Sequence, residues 1–153
     1  MADISVTVAE VAPDYTAGTP PDLETRIAGE TILEGQPLYP NNAQLDYRGR
    51  GKMYKCDANA AATALCYGIS LNAALAGQTV TVQKAGSIKL GASGGSVLTV
   101  GLTYHVSATA GGIAPSADVT TATDMFPCPL GVADTVQILQ LLAPFKVGAA
   151  VNP

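Results

Sequence analysis

Short runs of β-prone residues, separated by turns rich in glycine, proline and asparagine, fill the sequence from Arg26 onward. Strands of this length at regular spacing, with no convincing long helix between them, are typical of a β-barrel or a β-sandwich. The sequence therefore predicts an all-β fold, and we expect a small β-barrel. The predicted strands are RIAGETIL (26–33), PLYP (37–40), KMYKC (52–56), LCYGISL (65–71), QTVTVQK (78–84), GSIKL (86–90), TYHVS (103–107) and TVQILQLL (135–142).

Three local patterns add detail to this prediction. TVTV and SIKL, on either side of Ala85 and Gly86, are expected to form adjacent strands of one hairpin. DANAAAT predicts a helical turn capped by Asp57. ADTVQILQLLAP (133–144) fits both a helical and an alternating period, and the alternation favours a strand.

A weak internal repeat runs through the predicted strands. ILEGQPLY (32–39) resembles LTVGLTYHV (98–106), and Gly35 and Gly101 stand at matching places. Farther along, CYGIS resembles CPLGVA. Glycine inside a strand usually marks a bulge or a barrel corner. Because a period of about 65 residues is too long for a solenoid repeat, we expect a pseudo-duplicated barrel.

Residues 1–25 are predicted to form an extended N-terminal arm. In ISVTV, Ile4, Val6 and Val8 alternate with polar residues, which is the pattern of a half-buried strand. The following VAPDYTAGTPPD is interrupted by proline and glycine, so neither a strand nor a helix continues through it. Such an arm can pair with the sheet edge of a neighbouring subunit. The predicted division is an arm at 1–25, a β-barrel domain at 26–146 and a C-terminal tail at 147–153.

Charged residues are scarce in this chain. They make up 13% of it, against about 25% in a typical globular protein, while 48% of the residues are hydrophobic. A surface with so little charge indicates that other protein covers much of it. The net charge of −4 argues against a nucleic-acid partner, because that binding depends on neutralising phosphates. No stretch is long and apolar enough to span a bilayer, and MADISVTVAE lacks the features of a signal peptide, so we expect no membrane partner and synthesis in the cytoplasm.

Tests for catalytic and metal-binding motifs fail. GASGG matches G-x-S-x-G around Ser93, but the single histidine, His105, follows with no acidic residue between them. Cys56, Cys66 and Cys128 match no zinc-binding spacing, so free buried thiols are expected, and a Cys₃His site with His105 is the remaining alternative. The sequence therefore predicts no enzyme, no cofactor, no metal site and no small-molecule substrate.

YRGRGKMYK (47–55) holds four of the eight positive charges of the chain. It matches neither a P-loop nor a dinucleotide-binding fingerprint, because the required glycines are missing. Two interpretations stay open: a charged hairpin edge that prevents unwanted strand pairing, or a docking patch for an acidic partner. Both favour contact with protein over contact with phosphate.

Four segments together resemble the small capsid decoration (cement, or head-stabilisation) proteins of tailed bacteriophages. The resemblance runs over residues 28–142 and is most specific at 68–92 and 98–115. These stretches are glycine corners and turns, so the resemblance implies a fold and a role and no catalytic site. The segments are GETILEGQPLY, DANAAATALCYGISLNAALAGQTVTVQKAGSIKLGAS, LTVGLTYHVSATAGGIAPSAD and CPLGVADTVQILQLL.

This resemblance implies a β-barrel or β-tulip-like body on the outer surface of the phage head, commonly as a homotrimer, that clamps neighbouring copies of the major capsid protein. The expected role is a virion structural protein, located on the outer capsid surface and assembled in the host cytoplasm. The alternatives are a tail, baseplate or head-fibre component, or a ligand-binding β-domain, which the absence of tryptophan disfavours. The residues expected to contact the capsid or a neighbouring copy are Ile4, Val6, Val8, Tyr15, Arg48, Arg50, Lys52 and Lys55.

Overall fold

A computed structural model describes residues 3–16, 19–92, 94–120 and 124–150. Within these ranges the chain forms antiparallel β-sheets and two short helices, so the predicted all-β class is confirmed. Val8–Glu10 forms a single 3₁₀ turn. The helices are α1 (Ala61–Ala64) and α2 (Ser116–Thr120), and the strands are β1 (Ala12–Asp14), β2 (Asp22–Ile27), β3 (Pro37–Leu45), β4 (Gly51–Lys55), β5 (Gly68–Ser70), β6 (Thr79–Ala85), β7 (Ser87–Lys89), β8 (Thr103–Val106), β9 (Ile113–Pro115), β10 (Pro129–Ala133) and β11 (Ile138–Leu141).

The described strands form two separate sheets, which corrects the single closed barrel expected from the sequence. The first sheet has the order β2-β6-β5-β3-β4 and the second has the order β1-β7-β11-β10-β8-β9. The edges of the first sheet meet at an isolated bridge between Ala28 and Met53, which does not continue as a strand pair. The chain leaves the first sheet after β6 and enters the second sheet as β7, so these two consecutive strands do not pair with each other.

Gly86 makes the turn between the two sheets. Its φ is 87°, a conformation that L-amino acids with a side chain rarely adopt. A Cβ atom added there would also lie 2.8 Å from the Cα of Pro21. β6 and β7 therefore meet at a corner and pair with different strands, and the prediction that they form one hairpin is wrong.

The two sheets are built by the same sequence of elements. Unit 1 runs β2-β3-β4-α1-β5-β6, and unit 2 runs β7-β8-β9-α2-β10-β11. In each unit the second strand pairs with the third and fourth, the fourth with the fifth, and the fifth with the first, all antiparallel. The internal repeat in the sequence therefore corresponds to a repeated topology, with β1 added at the edge of unit 2.

Strand register identifies equivalent positions in the two units. Leu38 pairs with Gly68 in unit 1, and Tyr104 pairs with Gly131 in unit 2. The glycines that match in the sequence, Gly35 and Gly101, have φ values of 79° and 82°. Each unit therefore enters its second strand through the same left-handed turn.

The N-terminal segment packs against the body and is not a free arm in its described part. The backbone N–H groups of Ile4 and Thr7 donate to the carbonyls of Ile113 in β9 and Leu90, which follows β7. Val6 packs against the main core, and β1 pairs with β7. Apolar burial and these backbone hydrogen bonds hold residues 3–14, and the predicted boundary at residue 25 falls inside β2.

ISVTV does not form the predicted strand. The backbone N–H groups of Ile4 and Thr7 donate to two different segments of the chain, at Ile113 and Leu90, and not to one neighbouring strand. The predicted cap of α1 is also wrong: Ala60 occupies the N-cap, while the Asp57 carboxylate accepts hydrogen bonds from Asn59 N and Thr63 Oγ1. β11 confirms the strand predicted within 133–144.

The C-terminal tail also contacts the body where it is described. Val147 packs against the main core, and Gly148 N donates to the carbonyl of Pro127. The predicted division at 147 therefore does not separate a free tail, and residues 151–153 lie outside the described part.

Within the described residues, the buried apolar side chains form three clusters, the smallest of which joins Ala58 to Ala114 and Val119. The main cluster takes most of its residues from unit 2, with Ile88, Leu90, Leu130 and Leu139 fully buried, and it also includes Cys56, Ala64, Cys66 and Ile69 of unit 1. The N-terminal residues Ile4, Val6 and Val11 pack against it. A smaller cluster lies in unit 1. Its residues are Ala28, Ile32, Leu38, Met53, Ala74, Val80 and Val82.

Substitution of Val6 tests whether the N-terminal segment is part of the fold. Val6→Asp is expected to lower the free energy of unfolding by about 2–4 kcal/mol, because it places a carboxylate against the core. Val8, two residues later, is 45% exposed, so Val8→Asp should change it by less than about 0.5 kcal/mol. Urea unfolding of both variants measures the difference, and equal stabilities would show that the segment does not contribute to the core.

Candidate functional site

YRGRGKMYK forms the tip of the β3–β4 hairpin and the edge strand β4. The turn is organised by Asp46, whose carboxylate accepts the backbone N–H groups of Arg48 (2.8 Å) and Arg50 (3.0 Å). These hydrogen bonds, and the charge of Arg50, lower the pKa of Asp46 although its burial opposes ionisation. The aspartate therefore fixes the loop that presents the positive charges.

The four cations of this hairpin differ in their surroundings. Arg50 pairs with Glu24 and Asp46, each at 3.3 Å, and Lys55 lies 3.9 Å from Glu30. Among the described residues, no carboxylate lies within 4.0 Å of Arg48 or Lys52. β4 is an edge strand with partly exposed lysines, and Arg48 in the turn is exposed, so the structure fits both interpretations of the hairpin.

The predicted apolar contact residues separate into two groups. Ile4 and Val6 pack against the main core, so they are used inside the protein. Val8 and Tyr15 are exposed. Within the described residues, no hydrogen bond or ion pair joins these four N-terminal residues to the cations of the hairpin.

Sequence reasoning missed a charged network inside unit 1, centred on Glu24. The Glu24 carboxylate lies 3.2 Å from Lys84, 3.3 Å from Arg50 and 3.7 Å from Arg26, and it accepts a hydrogen bond from the Tyr67 hydroxyl. Arg26 is buried and donates to the carbonyl of Gly51 at 2.7 Å. Three cations and one phenol therefore converge on one carboxylate.

The pKa shifts in this network favour its charged state. Burial of Glu24 opposes ionisation, but hydrogen bonds from Tyr67 and Lys84 and the charges of Lys84 and Arg26 outweigh it and lower its pKa. The hydrogen bond to Glu24 raises the pKa of Lys84. Burial, followed by the bond to Glu24, raises the pKa of Tyr67. The network is therefore a static set of ion pairs and not a proton-transfer site near neutral pH.

The repeat shows what this network replaces. Glu24 pairs with Val82, and at the equivalent place in unit 2 Ile88 pairs with Leu139. Two residues farther along each first strand, Arg26 corresponds to buried Leu90. A buried ion pair is often no more stable than an apolar pair of similar volume. Comparing ETR with IKL under the repeat would have revealed this exchange in the sequence.

An open groove of about 800 Å³ borders the charged network. Tyr39, Leu65 and Tyr67 line it from unit 1, and Phe145 lines it from the C-terminal segment. Its charged lining residues, Asp22 and Lys84, lie 3.5 Å apart and form an ion pair with each other. The groove is thus largely apolar with little net charge.

Exposed leucines mark two neighbouring turns at one end of unit 1. In LEGQ and LAGQ, the glutamine side chain accepts the backbone N–H of the leucine at 2.8 Å, and the glycine has positive φ. An antiparallel bridge between Ile32 and Ala74 places these turns side by side. Leu33 is 50% exposed and Leu75 is 58% exposed, and the repeated L-x-G-Q pattern would have identified them.

The corresponding end of unit 2 also exposes apolar residues. Gly101, which matches Gly35, donates from its backbone N–H to the carbonyl of Ala133. Val100, Leu102 and Val136 are exposed around this turn. We call the two ends together the apolar turns, comprising Leu33, Leu75, Val100, Leu102 and Val136.

The residues tested for chemistry lie in unfavourable surroundings or outside the described part. Burial lowers the pKa of His105, and Ser93 lies outside the described residues. In the described ranges, no group of three or more His, Cys, Asp and Glu side chains could hold a metal ion. No helix within those ranges has the length and apolar character to cross a membrane.

Comparison with known proteins yields no matching family model, no significantly similar curated protein and no significantly similar solved structure.

Replacing the charged network with the residues of unit 2 tests its energetics. Glu24→Ile should cost about 3–5 kcal/mol, because buried Arg26 loses its carboxylate. Arg26→Leu should cost about 1 kcal/mol or less, since Glu24 keeps Lys84 and Arg50. Urea unfolding at neutral pH measures both values, and a larger loss for Arg26→Leu would contradict the assigned role of Glu24.

The three cysteines are free and buried, as the sequence predicts, and the structure brings them together in the main core. Burial raises the pKa of Cys128 to about 12, and burial followed by the contact with Cys66 raises the pKa of Cys56.

Native protein at pH 8 should therefore react with iodoacetamide only as fast as it unfolds, because the thiolate is the nucleophile. Thr31→Cys supplies an exposed thiol as the control, and equally rapid labelling of the unsubstituted protein would refute this expectation.

Proposed function

We propose that this protein is a virion structural component that binds the outer surface of a tailed-phage head and stabilises the lattice of the major capsid protein. Its action is mechanical: each copy bridges neighbouring shell subunits. A protein that binds only the assembled shell stabilises that shell by mass action. We further propose that it acts as a homotrimer, because three linked contacts raise the effective concentration of each one.

The observation that carries this proposal is the exposure of the apolar turns at equivalent ends of the two units. Exposed apolar side chains on neighbouring turns, as at Leu33 and Leu75, favour a surface that meets other protein. The segments that carry the resemblance to decoration proteins include these turns: GETILEGQPLY contains Leu33, LNAALAGQTVTV contains Leu75, and LTVGLTYHV contains Val100 and Leu102. The resemblance and the exposed surface therefore fall on the same residues.

Arg48 in the hairpin turn and Lys52 in β4 extend the proposed contact surface. Arg48 and Lys52 have no carboxylate partner within 4.0 Å among the described residues, and Tyr47 beside them is exposed. Such charges steer association and fix its register more than they add affinity. Arg50 and Lys55 contribute less to this surface because their charges are engaged by Glu24 and Glu30.

The N-terminal segment is unsuitable as the primary shell contact. Removing residues 1–25 would delete β1 and most of β2 and uncover the core beneath Ile4 and Val6. Weakened shell binding after that deletion would report unfolding and not a lost contact. Exposed Val8 and Tyr15 remain available for a neighbouring copy.

The copy number per particle distinguishes the proposed role from its main alternative. Particles purified from the native source should contain this chain at a ratio near parity with the major shell protein, measured by quantitative mass spectrometry. A few copies per particle would assign it to the tail, baseplate or a fibre. Its absence from particles would refute a virion role.

Point variants test the apolar turns directly. Leu33→Asn combined with Leu75→Asn should weaken binding to particles that lack this protein by about tenfold or more, since buried apolar anchors dominate interface energetics. Leu23→Asn, at another exposed leucine on β2, is the matched control and should retain binding. Unchanged affinity of the double variant, with its fold preserved, would exclude these turns from the contact surface.

A further inference from the structure

His105, the single histidine of the chain, lies in β8 between two core residues. Tyr104 and Val106 are buried in the main cluster. Because successive side chains of a strand point to opposite faces, His105 points to the other face of the sheet. Its cross-strand neighbours are Pro129 of β10 and Ala114 of β9. The histidine is therefore directed away from the main core, toward the face that meets the C-terminal segment.

A groove of about 340 Å³ opens beside His105. The residues that line it are His105, Pro127, Pro129, Lys146, Val147 and Gly148. His105 and Lys146 supply the polar side chains of this lining. Proline has no backbone N–H to donate, and Gly148 N already donates to the carbonyl of Pro127. The groove thus offers two side-chain donors between apolar walls and no acidic side chain.

The ring of His105 is buried and lacks a partner. The residue is 5% exposed, and its Nδ1 is enclosed without a hydrogen bond to any described residue. Nε2 is not enclosed in this way, so it is the nitrogen that the groove can reach. Buried polar side chains in folded proteins nearly always have a partner. An unpartnered ring at the wall of a groove therefore indicates a place for a ligand.

Lys146 is the second unsatisfied group of the groove. Lys55, Lys84 and Lys89 each form an ion pair with an acidic residue. Among the described residues, no carboxylate lies within 4.0 Å of Lys146. The groove therefore holds a positive charge that no acidic side chain of the described part balances.

We propose that the groove beside His105 binds a carboxylate group carried on a short aliphatic chain. The two carboxylate oxygens match the two donors, the ammonium group of Lys146 and Nε2 of His105. Pro127, Pro129 and Val147 supply apolar walls for the attached chain. A phosphate group carries more charge and three acceptor oxygens, which two donors do not satisfy. The proposal does not rest on the proposed function, since it needs neither a shell nor a trimer.

Binding of a carboxylate should depend on pH through His105. Burial lowers the pKa of this ring, whereas a carboxylate beside it favours the protonated form and raises that pKa. The complex therefore takes up a proton, and affinity rises as the pH falls, until the ligand itself is protonated near about pH 4.5. Of the elements packed against β8, α2 carries Asp118, the C-terminal segment carries Lys146, and the N-terminal segment carries Asp3, which accepts a hydrogen bond from Ser107.

The probe is sodium butyrate, titrated at pH 6 and constant ionic strength into isotopically labelled protein. The ring signals of the single histidine report on His105 alone. Butyrate should shift these signals and the amides of residues 146–148, with a dissociation constant of about 10 mM or tighter. It should also raise the pKa of His105, measured from the ring shifts against pH. Butyramide, which has the same shape and no charge, is the matched control and should cause no comparable shift.

Protein variants assign the two donors. Lys146→Gln should weaken butyrate binding at least threefold, because the cation is lost while the stem of the side chain remains. Lys52→Gln, at another lysine without an acidic partner, is the matched control and should leave binding unchanged. In the unsubstituted protein butyrate should bind at least threefold more tightly at pH 5.5 than at pH 7.5, and His105→Gln should remove this difference. Urea midpoints check the fold, and if His105→Gln unfolds, Lys146→Gln and the pH dependence decide.

A peptide distinguishes the two sources of a carboxylate. Acetyl-Ala-Glu-Ala-amide binding more tightly than butyrate would support a side chain of another protein as the ligand, and the reverse order would support a small organic acid. The same peptide with Gln in place of Glu is its control.

Four results would overturn the proposal. These are no shift of the His105 ring up to about 50 mM butyrate, equal shifts with butyramide, tighter binding of inorganic phosphate, and equal butyrate affinity in Lys146→Gln. A pKa of His105 that is already raised in the ligand-free protein would show that a carboxylate of the chain itself fills the groove, and would also overturn it. Each result is independent of the copy number in particles, so this site and the capsid role can fail separately.

Discussion

Backbone hydrogen bonding at the edges of the two sheets is the constraint on which this fold depends. In unit 1 the carbonyl of Met53 on the edge strand finds its partner within the same unit, because Gly29 N donates to it. In unit 2 the equivalent carbonyl belongs to Ile113, and Ile4 N donates to it from the far end of the chain. An unpaired sheet edge both loses hydrogen bonds and invites aggregation. The N-terminal segment is therefore a structural part of unit 2, and this explains why an apparent arm is buried along one side.

The two units differ in the side chains at matching places on their first strands. In unit 2 these are Ile88 and Leu90, which are buried in the main apolar cluster. In unit 1 they are Glu24 and Arg26; Arg26 is buried, while Glu24 and its partner Lys84 remain partly exposed. Ion pairs of this kind seldom exceed an apolar core in stability, although they can select one arrangement of neighbouring strands. The charged network of unit 1 also borders the apolar groove, since Tyr67 and Lys84 belong to both.

The sequence predicted the features that depend on local chemistry and missed those that depend on which strands meet. Alternating apolar residues and glycine turns were enough for the all-β class, most strands and the repeat marked by Gly35 and Gly101. The hairpin at Gly86 was predicted wrongly, because a glycine turn specifies a reversal or a corner equally well and only strand partners decide between them. The sequence pattern predicts Val6 as a contact residue, because a half-buried strand has the same pattern whether its partner is the same chain or a neighbour. The network around Glu24 joins residues far apart in sequence, so its partners cannot be predicted locally, and the comparison of ETR with IKL under the repeat indicates only where the charges replace apolar residues.

The repeated topology allows the side chains at matching places to differ between the two units. In unit 2 residues 146–148 form one wall of the groove beside His105, whereas in unit 1 residues 143–145 form one wall of the larger groove beside Tyr39. The apolar turns, in contrast, are exposed in both units, so they belong to the shared topology and not to the divergence. The fold therefore exposes apolar side chains at two separate kinds of place, the turns that both units share and the grooves that differ between them.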